Sequence, residues 1–133
     1  YEQNEYNKNN NRALLNSLIG FWKWDLATDQ VIFSREMYYL FDIENDESEE
    51  HEPNIIPKNI HSEDLNKLIE LNKNILSGDL TDPVSYRITN SSGEVKHIMR
   101  KCELDYDDEN HPKAIFGIDQ DISSILKIEK LNS

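Results

Sequence analysis

The chain has 133 residues, enough for one domain with its own core, and 26 acids against 14 Lys and Arg leave a net charge of −12. That balance argues against phosphate backbones and anionic lipid surfaces, so neither nucleic acid nor direct membrane insertion is expected. No apolar run is long enough to cross a bilayer, no signal-peptide pattern opens the chain, and the single cysteine, Cys102, excludes an internal disulfide.

One reduced cysteine fits a cytoplasmic setting. Tyr1 stands at the start where a nascent chain would carry Met, and the expectation is a piece of a longer protein. Residues 1–11 are polar and predict a frayed or disordered start. Ala13, Leu14, Leu15, Leu18 and Ile19 recur at helical spacing and predict a flanking helix over 12–19 that Gly20 stops. Its apolar side, Leu14, Leu15 and Leu18, either covers one face of the domain or pairs with a second copy. Phe21 to Leu26 carries Trp22 and Trp24 two apart, on one side of a strand. Ala27 to Gln30 is turn-like and Val31-Ile32-Phe33 resumes a strand, so a hairpin follows.

Ser34 is a candidate N-cap for a helix through Glu36, Met37, Leu40 and Phe41. Glu44 to Glu52 is an acidic run that reads as a solvated loop. Pro53 and Pro57 then bracket Ile55 and Ile56. Ser62 is placed to cap a second helix, with Glu63 and Asp64 complementing its dipole and Gly78 ending it in a left-handed turn. Leu65, Leu68, Ile69, Leu71, Ile75 and Leu76 give that helix a broad apolar face. Val84 to Thr89, Glu94 to Tyr106 and Lys113 to Gln120 read as three strands joined by short turns, with Gly93 in the first turn. Ile122 to Leu131 reads as a terminal helix. The order of elements predicts an α+β fold.

These residues resemble the PAS domain family in the variant with a PAC-type C-terminal half. Gly20-Phe21-Trp22-Lys23-Trp24-Asp25 is similar to its opening strand, and Ser34 through Phe41 to its first helix. Ile60-His61-Ser62-Glu63-Asp64 resembles its His-Pro-x-Asp approach to the long helix, with Ser62 where Pro is usual. Tyr86-Arg87-Ile88 and Ser92-Gly93-Glu94-Val95 resemble a strand and the turn after it. Gly117 through Ser123 resembles the closing strand and the Asp-Ile-Thr signature, with Ser123 in place of Thr. His97 stands where the family often has Trp, which makes the outer sheet face more polar there. The resemblance covers 20–131. It implies a single domain over 20–121, with about five antiparallel strands and helices on one face enclosing a small cavity. The flanking helices read from periodicity lie at its two ends, the second (122–133) expected as the start of a signalling helix. A sensory or dimerising role is implied, commonly ahead of a histidine kinase, a diguanylate cyclase or a transcription factor.

Nothing in the sequence supports catalysis. His51, His61, His97 and His111 lie far apart, so a zinc site is not expected. His61 is read as a local hydrogen-bonding residue. A haem-binding PAS domain takes an iron ligand from that region, but a lone His seldom does so, and haem is disfavoured. A flavin photosensor needs a reactive cysteine before the long helix; Asn54 to Ile60 has none, and flavin is disfavoured. Cys102, among apolar neighbours, is expected to be an inert thiol.

The candidate ligand cavity comprises Phe33, Met37, Phe41, Ile60, Leu65, Ile69, Tyr86, Ile98, Cys102, Phe116 and Ile118, with Tyr86 and Arg87 as polar groups to orient a small molecule. A filled core is the alternative, because apolar stripes are more often packed than hollow. At the exit, Asp121 and Ser123 can bond backbone groups at the strand-to-helix junction, and Ile122 opens the apolar side of the tail. The functional expectation is a sensor that relays a change through Asp121, Ile122 and Ser123 to a covalently linked output domain in a homodimer. A ligand-free dimerisation or interaction module is the rival.

Overall fold

The computed structural model describes residues 18–43, 55–79 and 81–132. The expected frayed start, most of the flanking helix with Leu14 and Leu15, and the acidic run from Glu44 to Glu52 lie outside the described residues. Ile19, assigned above to that helix, instead opens the first strand.

Strand β1 (Ile19–Asp25) and strand β2 (Gln30–Phe33) form the predicted hairpin. Its turn is fixed by Asp25, whose Oδ1 accepts the N–H groups of Ala27 and Thr28. Asp29 takes the left-handed conformation, and its carboxylate accepts the Trp24 indole N–H at 2.8 Å. Helix α1 (Arg35–Phe41) follows Ser34. The Ser34 hydroxyl does not cap it; Oγ accepts the Phe21 N–H at 2.9 Å and ties the helix start to β1. Asp42, left-handed at φ 56°, ends α1.

Ser62 does not cap the second helix. Ser62–Asp64 is a turn of 3-10 helix, with His61 before it accepting the Glu63 N–H on Nδ1 at 3.3 Å. Helix α2 (Leu65–Leu76) continues from there, and Gly78 closes it at φ +80°. Strands β3 (Val84–Thr89), β4 (Val95–Tyr106) and β5 (Pro112–Asp121) form the meander, and helix α3 (Ser123–Asn132) leaves β5.

The five strands make one antiparallel sheet in the order β2-β1-β5-β4-β3. The last strand is therefore central, and the path from β2 through α1 and α2 carries the chain to the far edge. Alternation sorts each strand into two faces. Trp22, Trp24, Tyr86, Ile88, Ile98, Cys102 and Ile115 point inward, where Met37, Leu40 and Phe41 of α1 and Leu68, Leu71 and Ile75 of α2 cover them. The fold is α+β, with α1 and α2 on one face of the sheet.

Candidate functional site: a buried ion pair and the helix exit

The interior holds a charge. Asp119, on the inward side of β5, is fully buried, and so is Arg100 opposite it on β4. Arg100 Nε lies 2.9 Å from Asp119 Oδ1, and Nη2 lies 2.9 Å from Oδ2. The Trp22 indole N–H from β1 donates to Oδ1 at 2.9 Å, and the Tyr86 hydroxyl from β3 donates to Oδ2. One carboxylate on β5 thus collects donors from the three other long strands. The guanidinium lies over two rings, its carbon 5.2 Å from the Trp22 centroid and 5.3 Å from that of Tyr86. Nη2 also donates to the carbonyl of Ile55 at 2.8 Å. Ile55 is buried and holds φ at +52°, a conformation that a β-branched residue rarely adopts.

Burying two ions costs several kcal/mol each unless geometry and extra hydrogen bonds offset it. Here the carboxylate is saturated with donors. Burial works against the charged form of Arg100, but the Asp119 charge beside it wins and holds the guanidinium above its ordinary value. Burial and then the Asp119 charge push the Tyr86 phenol well up. Burial pushes the Cys102 thiol up to about 12, so it stays protonated at neutral pH. Arg100 Nη1 is buried and has no acceptor among the described residues.

The second constellation sits where β5 becomes α3. The Ile122 N–H donates to the His97 carbonyl, and the His97 N–H donates to Ser123 Oγ, both at 2.9 Å. Asp121 Oδ1 accepts the Ser123 N–H at 2.9 Å and so caps the helix. The Asp121 N–H donates to the Leu18 carbonyl at 2.8 Å, and Ile122 is buried. The first turn of α3 is therefore bonded to β4 as well as to the strand it leaves.

No family model and no curated protein matches the chain. Solved structures do. A sensory box histidine kinase/response regulator from Burkholderia thailandensis is 22% identical with a TM-score of 0.64, over 90% of this chain and 88% of that one. The N-terminal domain of a diguanylate cyclase with PAS/PAC sensor from Marinobacter aquaeolei is 18% identical with a TM-score of 0.65, over 79% and 95%. The PAS domain of the fruit-fly ELK potassium channel is 8% identical with a TM-score of 0.58, over 78% and 86%. The fold is that of a PAS domain.

Within this PAS fold the predicted cavity residues divide. Met37, Phe41, Tyr86, Ile98 and Cys102 are buried together, with Phe33 and Ile60 half-buried against them. Phe33 meets Phe41 edge to face, centroids 5.7 Å apart. Phe116 and Ile118 are corrections. They are 44% and 41% exposed on the outer face, beside Lys101 and Glu103. Ala114-Ile115-Phe116-Gly117-Ile118 is apolar throughout, so its alternation is masked, and a one-residue slip exchanges the faces. Ile115, Gly117 and Asp119 are the inward set. Gly117 is inward because the Trp22 ring lies over it, where a Cβ would overlap the indole.

Leu65 is exposed and Ile69 half-buried, and neither joins the core cluster. Arg87 is a further correction. It leaves the interior and clamps β3 to the start of α2, its Nε 2.9 Å from buried Asp64. Asp64, expected to complement the helix dipole, also accepts the Arg87 backbone N–H at 2.8 Å. Trp22, Arg100 and Asp119 were not among the expected site residues. The signal was available: Ile98, Arg100 and Cys102 share one parity on β4, and an inward Arg requires an acid at the matching parity of a neighbouring strand.

Among the described residues no three His, Cys, Asp or Glu side chains gather to hold a metal. No helix among them is long and apolar enough to cross a membrane.

Proposed function

We propose that this PAS domain is a sensory and regulatory module. It detects a small ligand or a cellular state and relays the change through α3 to a covalently linked output domain, a histidine kinase or a diguanylate cyclase. The observation that carries this reading is the attachment of α3: its first turn hangs from the His97 backbone and from the end of β5, so a shift between β4 and β5 reorients it. The PAS sensors of a histidine kinase and a diguanylate cyclase among the structural neighbours support the choice of outputs. In this reading the domain is non-catalytic, works in the cytoplasm, and pairs as a homodimer through Leu14, Leu15 and Leu18. The ligand contacts are the inward residues Phe33, Met37, Phe41, Ile60, Tyr86, Ile98 and Cys102.

The test is Asp121→Ala in a full-length protein carrying this domain. The cap on Ser123 is lost, the domain stays folded, and output no longer follows input. Normal regulation in that variant overturns the relay.

One observation favours a ligand-free interaction module as a second reading. Trp22 and the Arg100–Asp119 pair fill the centre of the interior, where a cavity ligand would sit. Native mass spectrometry separates the two. An adduct that survives purification supports ligand sensing, and a clean apo mass from several expression hosts supports the module.

A further inference from the structure

We infer that the Arg100–Asp119 pair is an internal latch that sets the position of α3. The inference rests on reading α3 as the output element. Arg100 and Asp119 are register partners across β4 and β5. On the same ladder, Ile98 pairs with Asp121, and His97 is the next residue along β4. Thus the buried pair and the α3 attachment occupy one short stretch of two adjacent strands. His97 and Asp121, which hold Ile122 and Ser123, lie three and two residues from Arg100 and Asp119.

The pair also reaches outside the sheet. Arg100 holds the Ile55 carbonyl, and Ile55 keeps a backbone conformation that other contacts must impose. Asp119 meanwhile holds Trp22 and Tyr86. A displacement at any of these three points moves the carboxylate or the guanidinium, and the ladder carries it two residues to the helix. Nη1 has no acceptor among the described residues. Buried donors without an acceptor are rare in folded proteins.

The test uses the 133-residue chain and amide hydrogen exchange read residue by residue by NMR. The double variant Arg100→Gln/Asp119→Asn removes both charges and keeps donors and acceptors of similar shape. The His97 and Ile122 amides should then exchange at least tenfold faster. The Leu26 amide, bonded to the Lys113 carbonyl at the opposite end of β5 from α3, should keep its rate. A uniform acceleration, which is what a merely structural role gives, overturns the latch, and so does an unchanged rate at His97 and Ile122. Should the double variant fail to fold, Tyr86→Phe removes one donor to Asp119 and leaves both charges. The same two amides should then accelerate at least threefold, and their failure to do so overturns the inference. Neither arm reads an output activity, so failure here leaves the Asp121→Ala test standing, and the reverse.

Discussion

Arg100 and Asp119 face each other across β4 and β5 with Nη2 and Oδ2 2.9 Å apart and neither side chain exposed. In that setting the loss of one partner is worse than the loss of both. Asp119→Ala leaves a guanidinium buried without its counter-ion, and Arg100→Ala leaves a buried carboxylate that retains, among the described residues, the Trp22 and Tyr86 donors. Each change should lower the unfolding free energy by about 3–5 kcal/mol. The combined variant should lose far less than the sum, because no charge is stranded. Urea titrations of the four proteins measure this coupling, and strictly additive losses would mean that the two side chains stabilise the fold independently.

Gly117 and Gly20 are both inward and both crowded, yet substitution should affect them unequally. A Cβ at Gly117 overlaps the rigid indole of Trp22, itself anchored to Asp119. A Cβ at Gly20 meets the flexible Met37 side chain, its Sδ at 2.5 Å. Overpacking of this kind costs about 1–3 kcal/mol, and the rigid neighbour places Gly117→Ala at or above the upper end. Gly20→Ala should fall below it, since Met repacks readily. Melting temperatures rank the two variants, and the near-ultraviolet dichroism of Trp22 should change only in Gly117→Ala.

The clamp between Asp64 and Arg87 gives a pH-dependent contribution whose sign is fixed. Hydrogen bonds from the Arg87 side chain, against the opposing effect of burial, hold the Asp64 carboxyl well below its ordinary value of 3.8. A depressed carboxyl stabilises the fold above the unfolded-state value, and that contribution is lost as the pH falls through the folded-state value. Asp64→Asn removes it at every pH. The variant should therefore be less stable than the parent at pH 7, by about 1–3 kcal/mol for a buried charged partner lost. The gap should narrow steadily below pH 4. The neighbouring contact from Arg87 to Glu63 is exposed and adds little. Urea midpoints of both proteins between pH 7 and pH 2 trace the effect, and a gap that widens on acidification would contradict it.

Most of the fold was legible because its elements carry strong local signals. Trp22 and Trp24 at period two, Gly78 and Gly93 at positive φ, and the apolar stripe of α2 each specify one conformation. The site was legible in part. The Asp121 side chain could be placed because its bond to the Ser123 N–H spans only two residues, whereas the Ser123 hydroxyl reaches the His97 N–H on β4. Arg100 and Asp119 were missed because their meaning is non-local: either charge alone reads as a solvent-facing residue of a strand. Only the register that sets them opposite each other makes them a pair. Phe116 and Ile118 were assigned to the wrong face for the related reason that β5 is apolar on both sides. The Phe21, Phe116 and Ile118 side chains on the outer face show that hydrophobicity does not by itself identify the interior.

Cys102 tests whether the interior stays closed in solution. Its thiol is buried on the inward side of β4 next to Arg100 and Ile98, and burial pushes it up to about 12. Two barriers therefore protect it: the reagent cannot reach the sulfur, and almost no thiolate exists at pH 8. Labelling by a disulfide reagent should then proceed only through opening of the domain, at a rate that urea below the unfolding midpoint accelerates. In Trp22→Ala the ring that packs over Gly117 is gone, and the cavity it leaves lies on the strand facing Cys102, since Cys102 and Gly117 are register partners and so are Trp22 and Gly117. Labelling of that variant should be at least tenfold faster than that of the parent at equal denaturant. Fast labelling of the parent protein in buffer, at the rate of a small-molecule thiol, would mean that the interior is open to solvent and that the ion pair is not sealed as the fold requires.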